Sequence, residues 1–508
     1  MTADTGRYMF DRIKALAGWS GGFSRLSREE RAARIDAGAA RLLRLFQEQG
    51  KEAYVVGGCV RDLAMGILPH DWDITTAARP KETVDILEKA GIHSVDGGGR
   101  RYGTVIAVLG SAAYEITTFR REFYGEDAHR PEEVSFADTI EEDLSRRDFT
   151  VNAMALSAEG DLTDPYGGME DIKKKRLRTV GESSDRFQED ALRLFRACRF
   201  LGQLDFMADA SLVAGMKGAF PRVAGLSLER VRTEVEKLLV TAHAPRGLDL
   251  LVRSGLCDTS CRVRENGRYE AVPVLPELSH LVGLPQMKQF HKYDGWYHTL
   301  AVVDASPRDR IDRWAALLHD VGKGMPGVRR VDGEKITDYN HDHVGAEMAE
   351  ALLRRWRLPE REVRLITWLV KEHMKFHYFA NVDAADVMKW VRRMARNKEF
   401  PTQEAMIDGI RRMTALSIAD IIGCGRPFSA TDGHKAFGRA MEAAAAHVPV
   451  TTKELHYDRR VIDALGPVVA EGMQNLLFRV QNGTLPNEKE ALAEAARRYR
   501  KRHGHEES

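Results

Sequence analysis

Cysteine is scarce in this chain, with five residues in 508, at Cys59, Cys198, Cys257, Cys261 and Cys424, and no Cys-x-x-Cys pair among them. An odd, scattered set argues against a disulfide scaffold and predicts reduced thiols in a cytoplasmic protein. Long hydrophobic runs are missing too: no stretch of 18 apolar residues occurs, so no membrane-spanning helix and no membrane partner are expected. Asp4, Arg7, Asp11, Arg12 and Lys14 leave no room between Met1 and Leu16 for the apolar core of a secretory signal. Charge of one sign is not in excess either. Lys and Arg number 76 against 75 Asp and Glu, a net charge of +1, so any site for a polyanion must be a local patch. Internal repeats and low-complexity linkers are absent.

What is present is the composition of an ordinary folded protein, 43% hydrophobic and 30% charged, over a length that suggests about three domains at roughly 150 residues each. Ser27 and Glu30 form a potential capping box ahead of a helix ending near Gly50, with Ile35, Ala39, Leu42, Leu43 and Phe46 at helical spacing. From Ala53 to about Leu156 the texture changes. Short β-branched runs (Tyr54 to Val56, Thr104 to Leu109, Tyr114 to Thr118) alternate with glycine clusters such as Gly97, Gly98 and Gly99, the pattern of strands joined by turns. From Asp185 onward nearly everything has helical period. The expected fold is α+β: a small N-terminal mixed-sheet domain followed by a long all-α body. We divide the chain into a helical extension (1–50), a sheet-rich head (51–183), a helical neck and body (184–290), a histidine-rich helical domain (291–425) and a helical tail (426–508). The basic residues Arg497, Arg498, Arg500, Lys501 and Arg502 near the end read as a solvated helix face.

The first chemical constellation lies in the head. Val55 and Val56 run as a strand into Gly57 and Gly58, then into a helix carrying Arg61, so that backbone N–H groups and a guanidinium can approach an anion. Next comes Asp71-Trp72-Asp73-Ile74. Residues two apart on a strand share a face, so Asp71 and Asp73 project together while Trp72 and Ile74 pack the other way. Two such carboxylates repel unless a cation joins them, and hard oxygen ligands beside a phosphate-type turn suit Mg²⁺. Glu115 is a candidate third carboxylate on a neighbouring strand. Arg146 and Arg147 supply guanidinium groups for phosphate oxygens. In the helix after Glu189 and Asp190, Leu194, Ala197, Cys198 and Leu201 make an apolar stripe, and Arg193, Arg196 and Arg199 lie opposite it with Glu189. Asp190 falls at the edge. A salt-bridged face, with Glu189 and Arg193 in the favourable i, i+4 order, explains these residues equally well.

Taken together, Gly57-Gly58-Cys59-Val60-Arg61-Asp62, Asp71-Trp72-Asp73, Arg146-Arg147-Asp148-Phe149-Thr150, Asp164-Pro165-Tyr166-Gly167-Gly168, Glu189-Asp190-Ala191-Leu192-Arg193 and Glu229-Arg230-Val231-Arg232 with Glu234 resemble, in order, the class II nucleotidyltransferases, and most closely the bacterial CCA-adding tRNA nucleotidyltransferases. That resemblance implies a polymerase-β-like head with Asp71 and Asp73 as Mg²⁺ ligands; Glu115 stands as the candidate third catalytic carboxylate on its position alone. It implies that Gly58, Arg61 and Arg147 lie along the incoming nucleotide. Asp190 and Arg193 would read the Watson–Crick edge of cytosine or adenine, with Arg196 and Arg199 extending the same face. The implied partners are tRNA, CTP and ATP, and the implied chemistry is two-metal nucleotidyl transfer. Residues 123–136 resemble the flexible loop needed for the terminal A, with His129 in place of an arginine. An A-adding enzyme or a poly(A) polymerase is the rival within the class.

The second constellation is His298, His319-Asp320, His343, His373 and Asp420, spread over helix-like segments. Imidazoles and carboxylates converging from several helices suit a divalent transition metal with open positions. His341, in Asn340-His341-Asp342-His343, is an alternative to His343. The pattern resembles an HD-type phosphohydrolase domain, which implies a metal-dependent phosphatase or phosphodiesterase, with damaged tRNA ends such as 2′,3′-cyclic phosphates as its substrates. A hydrolase whose head only binds nucleotide is the rival from another class.

Overall fold

The computed structural model describes residues 22–95, 103–124, 131–380 and 386–503. The charged segment from Met1 to Leu16, the Gly97 to Gly99 cluster and the loop tip with His129 lie outside the described residues. The chain divides into two compact units, Met1–Pro276 and Glu277–Ser508.

In the first unit the expected helix from Ser27 to Gly50 is two helices. The Ser27–Glu30 capping box is formed, but it opens only a short helix, Arg28–Ala32. Asp36 then caps a second one, α1 (Ala37–Glu48), by accepting N–H bonds from Gly38 and Ala39 at 2.9 and 3.3 Å. A side chain that satisfies two orphan N–H groups restarts the helix on its own axis. Ala39, Leu42, Leu43 and Phe46 are buried, as their spacing predicts.

The sheet follows. Its strands are β1 (Ala53–Val56), β2 (Ile74–Thr76), β3 (His93–Val95), β4 (Thr104–Leu109) and β5 (Ala112–Thr118), then, beyond a separate hairpin of β6 (Arg120–Tyr124) and β7 (Pro131–Phe136), β8 (Ala155–Leu156) and β9 (Leu162–Thr163). The order is β3-β4-β5-β2-β1-β8-β9. Only β2 and β5 run parallel, in the register Ile74 to Ile116; the other pairs are antiparallel. Tyr114 and Ile116 of β5 point into the core with Val55, Ile74, Val105 and Phe46, while Glu115 between them is exposed. This is the mixed-sheet head expected from the alternation.

Helices then dominate. In α2 (Leu192–Leu204) Leu194, Ala197, Cys198 and Leu201 are buried, the stripe read from the sequence, and the helix packs against α3 (Leu228–Leu239) and α4 (Ala244–Arg253). A hairpin, Ser260–Glu265 with Arg268–Pro273, closes the unit.

The second unit is built on α5 (Gly295–Ala305), α6 (Arg310–Leu318), α7 (His341–Arg355), α8 (Glu360–Ala380) and α9 (Gln403–Gly423), with one hairpin, Arg329–Asp332 and Lys335–Asp338. Trp314 and Trp356 meet edge to face at 5.4 Å inside it. The terminal helix Lys489–His503 buries Leu492, Ala493, Ala495 and Ala496 and leaves its arginines exposed. Among the described residues no helix is long and apolar enough to cross a membrane.

Candidate active sites

In the head, the approach to β2 alternates as period two requires. Asp71 and Asp73 are exposed, and Trp72 and Ile74 are buried. The parallel register of Ile74 with Ile116 carries Asp73 alongside Glu115, so three carboxylates share this face. Although Asp73 is exposed as a residue, desolvation of its carboxyl by the atoms packed around it raises its pKa above the ordinary value; the nearby charges of Glu115 and Asp71 add to the shift and Arg147 opposes it. A carboxylate held against two others is a poor proton donor to water but a good ligand for a divalent cation, and the donor set fits Mg²⁺.

Beside it, Gly57 has φ +80° and ψ −126°, a backbone conformation that side chains resist, and a Cβ there would stand 2.9 Å from an Nη of Arg147. The bend thus brings main chain and guanidinium together, with Gly58 opening the next helix turn. Arg147 is held from behind by Asp143 at 3.3 Å, which also binds Arg146 at 2.9 Å. Asp143 is completely buried, and although burial alone would raise its pKa, the two arginines hold it below the ordinary value. The sequence reading missed Asp143. Its signal was a carboxylate three and four residues before an arginine pair on one helical turn.

The other arginines are each held by a carboxylate, as the salt-bridged reading of the Glu189 helix expects. Arg61 is buried, with its guanidinium donating to Asp62 at 2.7 Å and to Asn152 at 2.7 Å. Arg196 grips Asp148 through Nε and Nη2 at 2.8 and 2.5 Å, and the pKa of Asp148 is lowered to about 2; burial opposes that shift, and Arg196 overcomes it. Arg199 pairs with Glu234 at 2.6 Å. All three guanidinium groups lie within 5.5 Å of the Phe200 ring centroid. Arg193 donates to Glu189 at 2.6 Å, the i, i+4 pair, and to the carbonyls of Arg186 and Arg146. Asp190, whose pKa burial raises, accepts the Leu192 N–H at 2.9 Å. Asp164 is a cap, accepting N–H bonds from Gly168 and Met169 at 2.7 and 2.9 Å.

In the second unit, His298 (α5), His319 and Asp320 (just after α6), His373 (α8) and Asp420 (α9) converge. Gly423 lets α9 approach α5: a Cβ there would lie 2.5 Å from Val302. The four imidazoles and two carboxylates are not the set expected. His343 is a correction: its side chain is 53% exposed and turns to Asp342 at 3.1 Å. His341 takes its place, with Nε2 3.3 Å from Asp320. Asn340, at φ 66°, starts α7 so that its first residue faces inward and its third outward. A Cβ on Gly322 would strike the carbonyl of His341 at 2.3 Å, so the glycine after Val321 is what admits this turn.

The ligand atoms form two triads, His298 with His319 and Asp420, and Asp320 with His341 and His373, each within 4.8 Å. His319, His341 and His373 hold Nδ1 at 2.8, 2.7 and 2.6 Å from the carbonyls of Ala316, Asp338 and Val370. A carbonyl only accepts, so each Nδ1 carries the proton and each Nε2 presents a lone pair. The Nε2 atoms of His341 and His373 are buried without a hydrogen bond. Burial lowers the His373 pKa to about 3, with His341 and His319 adding to the shift. Nε2 of His298 and His319 stand 3.2 Å apart. Ring nitrogens crowded in this way, around two carboxylates, fit one or two divalent transition-metal ions. The cluster opens into a cavity of about 520 Å³. Lys323, His377 and Arg426 line it beside Phe290 and Met374, and Lys323 reaches Asp320 at 2.6 Å.

Both regions of the chain match known domain families. The poly A polymerase head domain matches residues 53–178, a "Probable RNA and SrmB- binding site of polymerase A" matches 205–260, and the HD domain matches 297–408. A CCA-adding enzyme of Geobacillus thermodenitrificans (strain NG80-2) is 30% identical over 457 residues, 89% of this chain and 94% of the relative. One from Streptococcus pyogenes serotype M2 is 44% identical over 211 residues, 42% of this chain and 51% of the relative. The crystal structure of Bacillus stearothermophilus CCA-adding enzyme in complex with CTP aligns with a TM-score of 0.60 at 28% identity, over 92% of this chain and 98% of that one. On sequence, order of motifs and fold alike, this chain belongs to the family of CCA-adding enzymes, tRNA nucleotidyltransferases.

Proposed function

We propose that the chain adds C, C and A to the 3′ end of tRNA from CTP and ATP, and that its histidine cluster hydrolyses phosphoesters. The observation that carries the transferase reading is the shared face of Asp71, Asp73 and Glu115 beside the Gly57 bend and Arg147. Asp71 and Asp73 would hold Mg²⁺, which would supply positive charge for the attacking 3′-hydroxyl and the pyrophosphate leaving group. Arg147, braced by Asp143, meets the triphosphate. Asp190 and Arg193 read the base edge. For Arg193 to do so, its pair with Glu189 opens, and a carboxylate acceptor beside a guanidinium donor then matches cytosine or adenine. Arg61, Arg196 and Arg199 are positioning residues: their carboxylate partners fix the wall on which Asp190 and Arg193 stand.

In the helical unit, His298, His319, Asp320, His341, His373 and Asp420 would hold the metal, which supplies a nucleophilic water at neutral pH. Lys323 and Arg426 provide cations for a phosphate, and the apolar wall favours a phosphoester with a sugar or base attached.

Incubating the purified protein with Mg²⁺, tRNA lacking its last three residues and single labelled nucleotides tests the transferase reading. Incorporation of CTP, followed by ATP only after two C residues, is the expected result. Incorporation of ATP alone would instead identify an A-adding or poly(A)-forming enzyme.

A further inference from the structure

Next to the two triads a third group of donors converges. His291, His298 and Cys424 hold ligand atoms within 4.8 Å of one another. Cys424 stands one helical turn past Asp420, at the C-cap of α9, and so faces the same side. The backbone N–H of Lys292 donates to the Cys424 carbonyl at 3.2 Å, which ties the segment carrying His291 to this helix end. His291 Nδ1 lies 3.3 Å from the Cys424 sulfur, and its ring meets His298 edge to face at 4.9 Å. A second observation points the same way. His298 is fully buried and its Nδ1 has no hydrogen-bond partner, whereas Nδ1 of His319, His341 and His373 is taken by a carbonyl. A fully buried imidazole with one ring nitrogen unmatched, in a cluster with a thiol and a second imidazole, is a costly arrangement unless a cation completes it.

We propose that His291, Cys424 and His298 form a thiolate-containing site for a thiophilic divalent cation of the Zn²⁺ class, separate from the Asp320 triad and sharing His298 with the other. One sulfur and two nitrogens are borderline-soft donors, which favour Zn²⁺, Cd²⁺ or Co²⁺ over Mg²⁺. On binding, the Cys424 S–H bond breaks, its electron pair forms the sulfur–metal bond, and the proton passes to solvent. Because His298 also belongs to the triad with His319 and Asp420, an excess of such an ion draws that imidazole away and slows hydrolysis at the cluster. This last consequence rests on the hydrolase reading above; the site itself does not.

The experiment uses the full-length protein, stripped with a chelator and titrated with Co²⁺ while its absorption spectrum is recorded. A sulfur-to-Co²⁺ charge-transfer band in the near ultraviolet is expected for the unaltered protein. It should be lost in Cys424→Ser and weakened in His291→Ala, with the visible bands of nitrogen- and oxygen-bound Co²⁺ retained. A saturated protein without the charge-transfer band, or a band of undiminished intensity in Cys424→Ser, would overturn the proposal. In a second arm, hydrolysis of bis-p-nitrophenyl phosphate is followed as Zn²⁺ is raised. Inhibition is expected to need on the order of ten- to a hundredfold more Zn²⁺ in Cys424→Ser. Equal inhibition of both proteins would reject the antagonism. Absence of hydrolysis would reject the hydrolase reading and leave the site decided by the spectra.

Discussion

In the head, Asp71 and Asp73, just ahead of β2, and Glu115 on β5 are exposed residues, whereas in the helical unit His298, His319, Asp320 and His373 are sealed at 2% exposure or less. The difference follows from the charges each site must tolerate. Carboxylates cannot be buried together without a cation, so these three stand at an exposed rim. Neutral imidazoles can be buried, provided each proton has a partner, and the backbone carbonyls supply one for three of them. A rim of oxygens suits an ion exchanged at every turnover. An enclosed nest of nitrogens suits a resident one.

Substitutions at each site put this contrast to the test. Asp71→Ala and Asp73→Ala each should lower nucleotide incorporation by on the order of a thousandfold while leaving metal content in the helical unit unchanged, as elemental analysis of the dialysed protein would check. The converse variant, His319→Ala, should reduce retained transition metal by about ten- to a hundredfold in affinity and leave incorporation intact. Arg196→Met leaves Asp148 buried without its cation, and chemical unfolding should show a loss of about 3–5 kcal/mol. The same pair has a pH signature. The folded pKa of Asp148, about 2, is below the ordinary aspartate value, so its contribution to stability is complete above the unfolded value and vanishes as pH falls from about 4 toward 2. Unfolding midpoints measured through that window should fall in the unaltered protein and stay flatter in Arg196→Met. The smallest effect is expected for His343→Ala, within about 0.5 kcal/mol of the unaltered stability and with full metal content, whereas His341→Ala should lose metal. An equal loss in both would undo the assignment of His341.

The contrast also governs what could be read in advance. The Asp71-Trp72-Asp73-Ile74 alternation was legible because a strand's period is two and the pattern needs no distant partner. The stripe Leu194, Ala197, Cys198 and Leu201 was legible for the same local reason. Arg196 and Arg199 were not, since their partners Asp148 and Glu234 come from other elements and only the fold brings them near. The break at Asp36 turned on a side chain capping a new helix, where apolar spacing alone ran straight through. His341 and His343 carry the same chemistry two positions apart, and the choice between them depends on where Asn340 starts the helix.

The carbonyl three residues upstream of His319, of His341 and of His373 has a consequence for how the cluster ages in evolution. Because main chain dictates which ring nitrogen stays bare, apolar residues of the 520 Å³ cavity such as Phe290 and Met374 can be exchanged without altering those tautomers. The shape of the cavity wall and the identity of the bare nitrogen are thereby uncoupled.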